Sequence, residues 1–492
     1  MIRTLSTSAP FLLPLSLLFG CTVGPRYERP PVQTAPAFKE LTAQVSGDGT
    51  MWEPAKPQDT SLPQEWWKIF HESELDSLEE KLNSSNQSIA QAYQNFMAAR
   101  AQVRQARAAY APTLSTQPAY TRSRASANQS GRSIPGVNLN SNAFNFPFDV
   151  SWQPDVFGRI RNSVREFADA AQVSASDLAN QRLTEQANLA IFYFELRGQD
   201  AEIDLFDRTI SAYRQNLKLT QVRSKTGVDT EQSVAQAELN LNSAQATATN
   251  LGIARAQQEH AIAMLIGQPA STFSLPHRAL LAAIPPIPVG VPSDLLQRRP
   301  DVAATERNMA QSNALIGVGI AAFYPNFNIS GSAGLQSNAI NNWMAWPSRF
   351  FSIGPAAAET LLDGGQRRAV VAQYKAQYQA QVANYRQTVL SALQATEDTL
   401  ASERILAIQI VQQQETVQAA ARYYTLANAR YRTGVDTYLN VFTAETSLLT
   451  NQDTLITLKI QQLTNSVQLI QNLGGGWNAS QLPSESEVGA KR

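Results

Sequence analysis

One five-residue sequence occurs twice in this chain, and this repetition constrains the fold more than any other feature. Thr226-Gly-Val-Asp-Thr230 recurs as Thr433-Gly-Val-Asp-Thr437, and the same offset of 207 residues relates Gly158 to Gly365. Agreement between separate landmarks indicates an internal duplication. The 492-residue chain is therefore expected to contain two structural repeats with the same order of elements.

Each repeat contains a long segment of helical character. No proline occurs from about Arg159 to Lys225 or from about Gln366 to Arg432. About 65 helical residues make a rod of roughly 100 Å. The second rod carries a stripe with an 11-residue pattern, which favours nearly straight helices. The stripe comprises Val371, Tyr374, Tyr378, Val382, Tyr385, Val389, Leu393, Thr396 and Leu400. Antiparallel return helices are expected from about Thr230 to Ile266 and from about Thr437 to Leu473.

Each rod ends at one copy of the repeated sequence. Gly227 and Gly434 can adopt the left-handed conformation that terminates a helix. Asp229 and Asp436 are then expected to cap the returning helices. The two turns would lie at the end of the rods, far from the strands. Each is either a plain turn or a protruding point that contacts a partner.

Alternation of apolar and polar residues precedes each rod. Apolar residues occupy every second position of one strand: Phe144, Phe146, Phe148, Val150 and Trp152. Asn145 and Asp149 lie between them, and residues 327–335 alternate in the same way. Each repeat is thus predicted to carry a β-hairpin, at about residues 113–155 and 327–362. Strands of about ten residues suit a tilted transmembrane strand. A soluble hairpin with one buried face is the alternative.

The N-terminus has the features of a secretory signal. A basic start and an apolar stretch precede Leu18-Phe19-Gly20-Cys21, which resembles a bacterial lipobox. Residues 1–20 are therefore predicted to be a signal peptide, and Cys21 to become the lipidated (palmitate-carrying) first residue of the mature protein. Thr22 follows where an Asp would resemble an inner-membrane retention signal, so the anchor is expected in the outer membrane. The alternative is an ordinary signal peptide with an incidental cysteine.

The remaining boundaries follow from composition. The longest apolar stretch after the signal, residues 314–324, is shorter than the about 20 residues that a membrane helix needs. We expect an extended, lipidated segment over residues 21–73 and a first repeat over 74–280 that begins with one helix to about residue 110. A proline-rich linker over 281–292, a second repeat over 293–473 and a polar tail over 474–492 complete the chain.

Composition argues against several classes of chemistry. Lys and Arg together number 40, as do Asp and Glu, so no basic excess favours nucleic acid. The chain has one cysteine and three scattered histidines, His71, His260 and His277, which leave little for a metal or acid–base site. No catalytic motif stands out. The sequence therefore predicts no enzyme activity, no cofactor and no metal.

Five motifs, in order along the chain, carry a family resemblance. They are Cys21-Thr-Val-Gly-Pro-Arg-Tyr-Glu-Arg-Pro30, Leu295-Leu-Gln-Arg-Arg-Pro-Asp-Val302, Leu362-Asp-Gly-Gly365, Tyr431-Arg-Thr-Gly-Val-Asp436 and Leu473-Gly-Gly-Gly-Trp477. Together they resemble the TolC/OprM-like outer-membrane factors, the NodT-type lipoproteins of tripartite efflux pumps. The resemblance covers essentially the whole chain.

The resemblance implies an α+β membrane protein. It implies a homotrimer in which four strands per protomer form a 12-stranded transmembrane β-barrel, continuing into a periplasmic α-helical barrel of 12 helices. The implied location is the outer membrane of a Gram-negative bacterium. The implied partners are a periplasmic adaptor (membrane-fusion) protein and an inner-membrane transporter of the resistance-nodulation-division type. A channel for exported polypeptides and a structural envelope lipoprotein without a duct are the alternatives.

The resemblance also assigns roles to the two turns. The expected adaptor contacts are Gly227, Val228, Asp229, Gly434, Val435 and Asp436. A periplasmic gate is expected just above the second turn, at Leu439, Thr443 and Thr446. Similar proteins often have Asp and Arg where Thr443 and Thr446 stand, so we expect a closed ring of Leu439 side chains here rather than an ionic latch.

Overall fold

The computed structural model describes residues 22–32, 34–41, 62–126, 139–278 and 284–490. Its helices are α1 (Ser73–Ser85), α2 (Gln87–Ala108), α3 (Arg159–Lys225), α4 (Glu231–Leu265), α5 (Leu295–Arg298), α6 (Pro300–Ala321), α7 (Gln366–Arg432), α8 (Tyr438–Asn472) and α9 (Glu485–Val488). Its strands are β1 (Thr113–Thr116), β2 (Ala119–Arg124), β3 (Asn140–Trp152), β4 (Asn326–Ser337) and β5 (Arg349–Ala358).

Two pairs of long antiparallel helices dominate the molecule. α3 and α7 have 67 residues each, and α4 and α8 have 35 residues each. At 1.5 Å per residue, each longer helix extends about 100 Å. α3 packs on α4 and α7 on α8, while α8 also contacts α3 and so joins the two pairs. None of the described helices combines the length and the apolar character needed to cross a bilayer.

The strands form one antiparallel sheet in the order β1/β2, β3, β4, β5. β1 and β2 pair with β3 in one continuous register, Thr116 with Phe148 and Ala119 with Asn145. The ladder is interrupted between β1 and β2 at Pro118, close to Pro147 on β3, because proline has no N–H to donate. The described part of the hairpin predicted near residues 113–155 therefore has three strand segments rather than two.

The predicted helix over residues 74–110 is two helices, which corrects the sequence interpretation. Asn86 lies between α1 and α2 in an extended conformation. Its side-chain oxygen accepts a hydrogen bond from the Ile89 N–H at 3.0 Å, and its amide donates to the Leu265 carbonyl at 2.8 Å. Asn86 thus caps α2 and fastens the break to the end of α4.

Two of the family-like motifs meet in the structure. Arg299, before the start of α6, pairs with Asp301 at 2.7 Å and donates to the carbonyl of Asn472 at 2.9 Å. Gly474 follows α8, and a Cβ placed there would lie 2.0 Å from the Arg298 carbonyl oxygen. These motifs therefore join the start of α6 to the end of α8, a structural role.

The largest core lies where α1, the middle of α3 and the ends of α4 and α8 converge. Trp66, Phe70, Tyr193 and Phe194 are buried there, and the Phe70 and Phe194 rings lie 4.9 Å apart. This core fixes the helix pairs relative to one another midway along α3, which leaves the sheet at one end and the two turns at the other.

Candidate functional site

The sheet has one apolar face that extends across its strands. Phe148 on β3 pairs with Ala333 on β4, which pairs with Phe351 on β5. Directly paired residues share a face of a sheet. Phe351 is 83% exposed, so this face has no covering layer within the described part of the protomer.

All five strand residues singled out in the sequence lie on this face, which we call the apolar sheet face. They alternate along β3 as Phe144, Phe146, Phe148, Val150 and Trp152. The rings of Phe146 and Phe148 lie 5.2 Å apart, and that of Phe144 lies 4.7 Å from Tyr120 on β2. The structure thus brings these residues together into one aromatic surface.

The other face of the same sheet is polar. Asp149 pairs with Ser115 on β1 and with Ser332 on β4. Next along, the Ser151 hydroxyl donates to the Asn328 side-chain oxygen at 3.1 Å. A sheet with one apolar and one hydrophilic face suits a wall that separates lipid from water.

The chain just after Cys21 lies at the base of the sheet, beside the start of α3. The Val23 N–H donates to the Phe157 carbonyl at 3.2 Å, and the Asn162 amide donates to the Val23 carbonyl at 2.9 Å. A Cβ added to Gly158 would lie 2.9 Å from the Thr22 Cα. Cys21 itself lies outside the described residues.

The two repeated sequences form neighbouring turns at the opposite end of the molecule. Gly227 and Gly434 have φ of 76° and 78°, the left-handed conformation that glycine tolerates best. Val228 and Val435 are 61% and 67% exposed. All four lie on exposed turns, as a surface for a partner requires.

The two aspartates of these turns do not cap the returning helices, contrary to expectation. Thr230 is the N-cap of α4, and its hydroxyl accepts from the Ser233 N–H at 3.3 Å. Asp229 instead pairs with Arg223 at 2.8 Å. Asp436 accepts from the Thr437 N–H at 2.9 Å and the Asn440 amide at 2.6 Å, and it pairs with Arg430 at 3.3 Å. Each aspartate thus reaches an arginine six residues before it on the preceding helix, and Asp436 also holds the start of the returning helix.

Tyr431 joins the two turns, a feature that the sequence interpretation missed. Its hydroxyl donates to Asp229 at 2.5 Å and lies 3.1 Å from the Thr220 hydroxyl, while the Arg223 guanidinium lies 4.5 Å from its ring centre. Burial, reinforced by the hydrogen bond to Asp229, raises the pKa of Tyr431 to about 12. The hydroxyl therefore stays protonated and donates throughout the physiological range.

The three residues predicted to form a gate share one exposed face of α8. Leu439 is 53% exposed, and Thr443 and Thr446 are also exposed. The Thr443 hydroxyl donates to the Leu439 carbonyl at 2.9 Å, a bond within its own helix. Val441 and Ala444, on the opposite face, are buried against the protomer. The Leu439 face is thus left for contacts beyond the protomer.

A buried carboxylate lies behind that face. Glu445 accepts from the Tyr438 hydroxyl at 3.2 Å, from the Asn240 amide at 3.3 Å and from the Asn216 amide. It thereby links α8 to α4 and α3. Burial raises the pKa of Glu445 above its ordinary value, while the three donors act in the opposite direction. No sequence pattern marked this residue, because its partners come from three helices.

Within the described ranges, no three His, Cys, Asp or Glu side chains come together as a metal site would require. The chemistry that the structure offers lies elsewhere: a two-faced sheet at one end of long helices, and two linked turns beside an exposed helix face at the other.

Sequence comparison identifies a family over most of the chain. The family described as outer membrane efflux protein matches residues 78–268 and 291–475. The toluene efflux pump outer membrane protein TtgC of Pseudomonas putida is 28% identical over 465 residues, 94% of each chain. The antibiotic efflux pump outer membrane protein ArpC, also of Pseudomonas putida, has the same identity and coverage.

Structural comparison leads to the same group. The solved structure of the outer-membrane channel OprN superposes with a TM-score of 0.84 at 27% identity, covering 93% of this chain and all of that one.

Proposed function

The chain belongs to the outer membrane efflux protein family, and on that premise we propose that it forms the exit duct of a tripartite efflux pump. It is an outer-membrane component of an efflux system and passively conducts small molecules to the outside. The toluene and antibiotic named for two relatives support a substrate class of drugs or other toxic compounds.

We infer that the apolar sheet face contacts lipid and that the polar face lines the lumen. Four strand positions per protomer are too few to close a barrel, which needs about eight strands or more. Three protomers would supply twelve, which leaves a lumen wide enough for solutes. The single observation that carries the proposal is the continuity of the apolar face across β3, β4 and β5.

The helices then form the periplasmic part of the duct. α3, α4, α7 and α8 from three protomers would give a tunnel of twelve helices, reaching toward the inner membrane. The exposed turns at Gly227–Asp229 and Gly434–Asp436 would contact the periplasmic adaptor, and an inner-membrane transporter of the resistance-nodulation-division type would supply the substrate. The exposed Leu439 face of α8 would close the tunnel at rest.

Lipidation of Cys21 fits this placement. Thr22 lies at the base of the sheet, beside the start of α3. In a barrel with the sheet in the membrane, this level is the inner surface of the outer membrane. An acyl chain on Cys21 would therefore enter the bilayer beside the barrel, and the barrel would supply most of the anchoring.

Single-channel recording tests the duct directly. Purified wild-type protein and the Leu439→Ser variant are reconstituted into planar bilayers, and we expect discrete conductance steps that are larger or more frequent in the variant. Asp149→Lys serves as the control for the current path, because a charge reversal on the polar face must alter conductance if ions pass that face. Stable trimers that conduct in none of these forms would show a structural envelope lipoprotein without a duct.

A susceptibility assay separates the two transport alternatives. Deletion of the gene should raise sensitivity to small toxic compounds and increase accumulation of a fluorescent dye in the cells. A deletion that changes the secreted proteins and leaves drug sensitivity unaltered would support a channel for exported polypeptides.

A further inference from the structure

Apart from Asp149 near the helical end of β3, every charged residue of segments 113–152 and 326–358 is an arginine. Residues 113–148 and 326–358 contain no Asp, Glu or Lys, yet they contain Arg122, Arg124, Arg132 and Arg349. Arg132 lies outside the described residues. The other three arginines are exposed. Such an imbalance is unexpected for a soluble surface, where both signs are usually mixed.

Two of these arginines extend the apolar sheet face outward along β2. Tyr120 pairs with Phe144, and Arg122 and Arg124 are the next two residues of the same parity, paired with Asn142 and Asn140. Since alternate residues share a face, both arginines lie on the side of Phe144. They occupy the part of the sheet farthest from the helices, which we call the outer end.

The third arginine reaches the same end from another strand. Arg349 begins β5 and pairs with Leu335, which pairs with Phe146 on β3. It therefore shares the apolar sheet face with Phe146. Its guanidinium lies 4.1 Å from the centre of the Trp346 ring. Arg349 thus stands directly beside aromatic surface, at the outer end of β5 and two residues short of the level of Phe144 on β3.

These guanidinium groups have no acidic partners in the described parts of the chain. The ion pairs of Arg367 with Glu359 and Asp363 lie at the opposite end of the sheet, where β5 leads into α7. The outer end therefore carries net positive charge on the face that is directed toward lipid.

The loop between β4 and β5 adds an apolar rim to the same end. Ile340, Met344 and Trp346 are 63%, 64% and 76% exposed. Trp343 instead packs on the apolar sheet face, with its ring 5.7 Å from that of Phe144. Exposed tryptophan and arginine toward one end of a membrane-facing sheet are typical of the boundary between acyl chains and headgroups.

We propose that this outer end binds the phosphate groups of an anionic glycolipid in the outer leaflet, through Arg122, Arg124 and Arg349. The proposal rests on the proposed function, since it requires the apolar sheet face to lie in the outer membrane. An amphiphile fits both features: its acyl chains cover the aromatic residues, and its phosphates pair with the arginines. A soluble anion would satisfy the charge and leave the adjoining apolar surface uncovered.

Native mass spectrometry of detergent-solubilised trimers tests the proposal. The probes are lipid A carrying both phosphates and the same lipid after dephosphorylation. We expect the phosphorylated lipid to bind the wild type, and the Arg122→Gln/Arg124→Gln/Arg349→Gln variant to bind it about fivefold more weakly for each arginine removed. The matched control removes three exposed cations of α7, by Lys375→Gln, Arg386→Gln and Arg422→Gln, and should bind as the wild type does.

Each further outcome has a defined meaning. Equal binding of the two lipids by the wild type, or equal loss in the control variant, would overturn the proposal. Displacement by inorganic phosphate alone would also overturn it, because it would indicate a site for free anions. If the glutamine variant does not form trimers, the Arg→Lys variant at the same positions keeps the charges and should retain binding. Because the assay uses detergent, failure of the efflux assay would leave the lipid-binding result intact.

Discussion

The hydroxyl of Tyr431 donates a hydrogen bond to a carboxylate oxygen of Asp229 at 2.5 Å. Tyr431 lies in the last turn of α7, whereas Asp229 lies in the turn that joins α3 to α4. The bond therefore ties the second helical hairpin to the end of the first. Arg223 completes the arrangement, because it pairs with Asp229 and also covers the Tyr431 ring.

We predict that Tyr431→Phe loosens the two turns. The substitution removes a hydrogen bond to a carboxylate, a contact that contributes about 1.5–3 kcal/mol. Amide hydrogen exchange over residues 220–230 and 431–438 should accelerate by roughly tenfold or more, since 1.4 kcal/mol corresponds to a factor of ten. The matched control is Tyr423→Phe, which removes an exposed hydroxyl from the same helix. Unchanged hydrogen exchange in Tyr431→Phe would show that the hydrogen bond to Asp229 does not stabilise the two turns.

The closed state of the duct gives a second prediction, at Leu439. If three Leu439 side chains close the tunnel by excluding water, Leu439→Ser should raise resting conductance and make cells more sensitive to vancomycin. Raising the salt concentration should change the wild-type closed state little, because an apolar ring is not screened. Leu426→Ser is the control, as Leu426 is 65% exposed on α7.

A closed end held by charged residues would respond to salt differently from an apolar ring. A wild-type channel that opens readily as salt rises would point to ionic contacts at the closed end and contradict the apolar ring. Arg430 and Asp436, an exposed pair at 3.3 Å in the second turn, would then be the first residues to examine.

The two faces of β3 give a third prediction. Phe148→Arg places a charge on the lipid-facing side near mid-membrane and should cost about 2–4 kcal/mol per copy, so we expect trimer assembly to fail. The neighbouring Asp149→Lys changes the lumen side and should alter conductance while trimers still form. Gel analysis of heat-resistant trimers and bilayer recording measure the two effects. If Phe148→Arg assembles and Asp149→Lys does not, the assignment of the faces is reversed.

The sequence predicted the features that depend on local pattern. The bounds of α3 and α7 follow from the proline-free segments between glycines, and the apolar face of β3 follows from alternation, because both are properties of consecutive residues. The helix break at Asn86 was missed, since Ser and Asn are tolerated within a helix, and the contacts of Asn86 with Leu265 and of Ser85 with Ile266 that favour the break come from a distant segment.

Contacts between residues far apart in the sequence could not be predicted from local patterns. Asp229 was expected to cap α4, a role that Asp often has, but Tyr431 and Arg223 compete for its carboxylate. Glu445 was missed for the same reason, because its donors Asn216 and Asn240 are more than 200 residues away in sequence. Neither arrangement leaves a periodic signal in the chain.

Lipidation gives a fourth prediction. Cys21→Ala should abolish incorporation of radiolabelled palmitate, because no other cysteine is present to take the acyl chain. The variant should remain in the outer-membrane fraction, since a barrel buries far more apolar surface than one anchor. A Cys21→Ala protein that still incorporates palmitate would contradict the lipobox assignment.

The last prediction concerns Glu79, a carboxyl buried in α1. Its side chain is fully buried, and neither of its oxygens has a hydrogen-bond partner among the residues that the structure describes. Burial raises the pKa of Glu79 well above 4.5, and nearby Asp76 adds to the effect. The folded state therefore binds a proton that the unfolded state releases above about pH 4.5. As the pH rises from there toward the folded pKa, the free energy of unfolding should fall by about 1.4 kcal/mol per pH unit per protomer.

Glu79→Gln carries no such proton, so its thermal midpoint, followed by circular dichroism from pH 5 to 8, should fall less than that of the wild type. Glu80→Gln, an exposed neighbour on the same helix, should follow the wild type. Parallel pH profiles for Glu79→Gln and the wild type would mean that Glu79 does not hold a proton in the folded state.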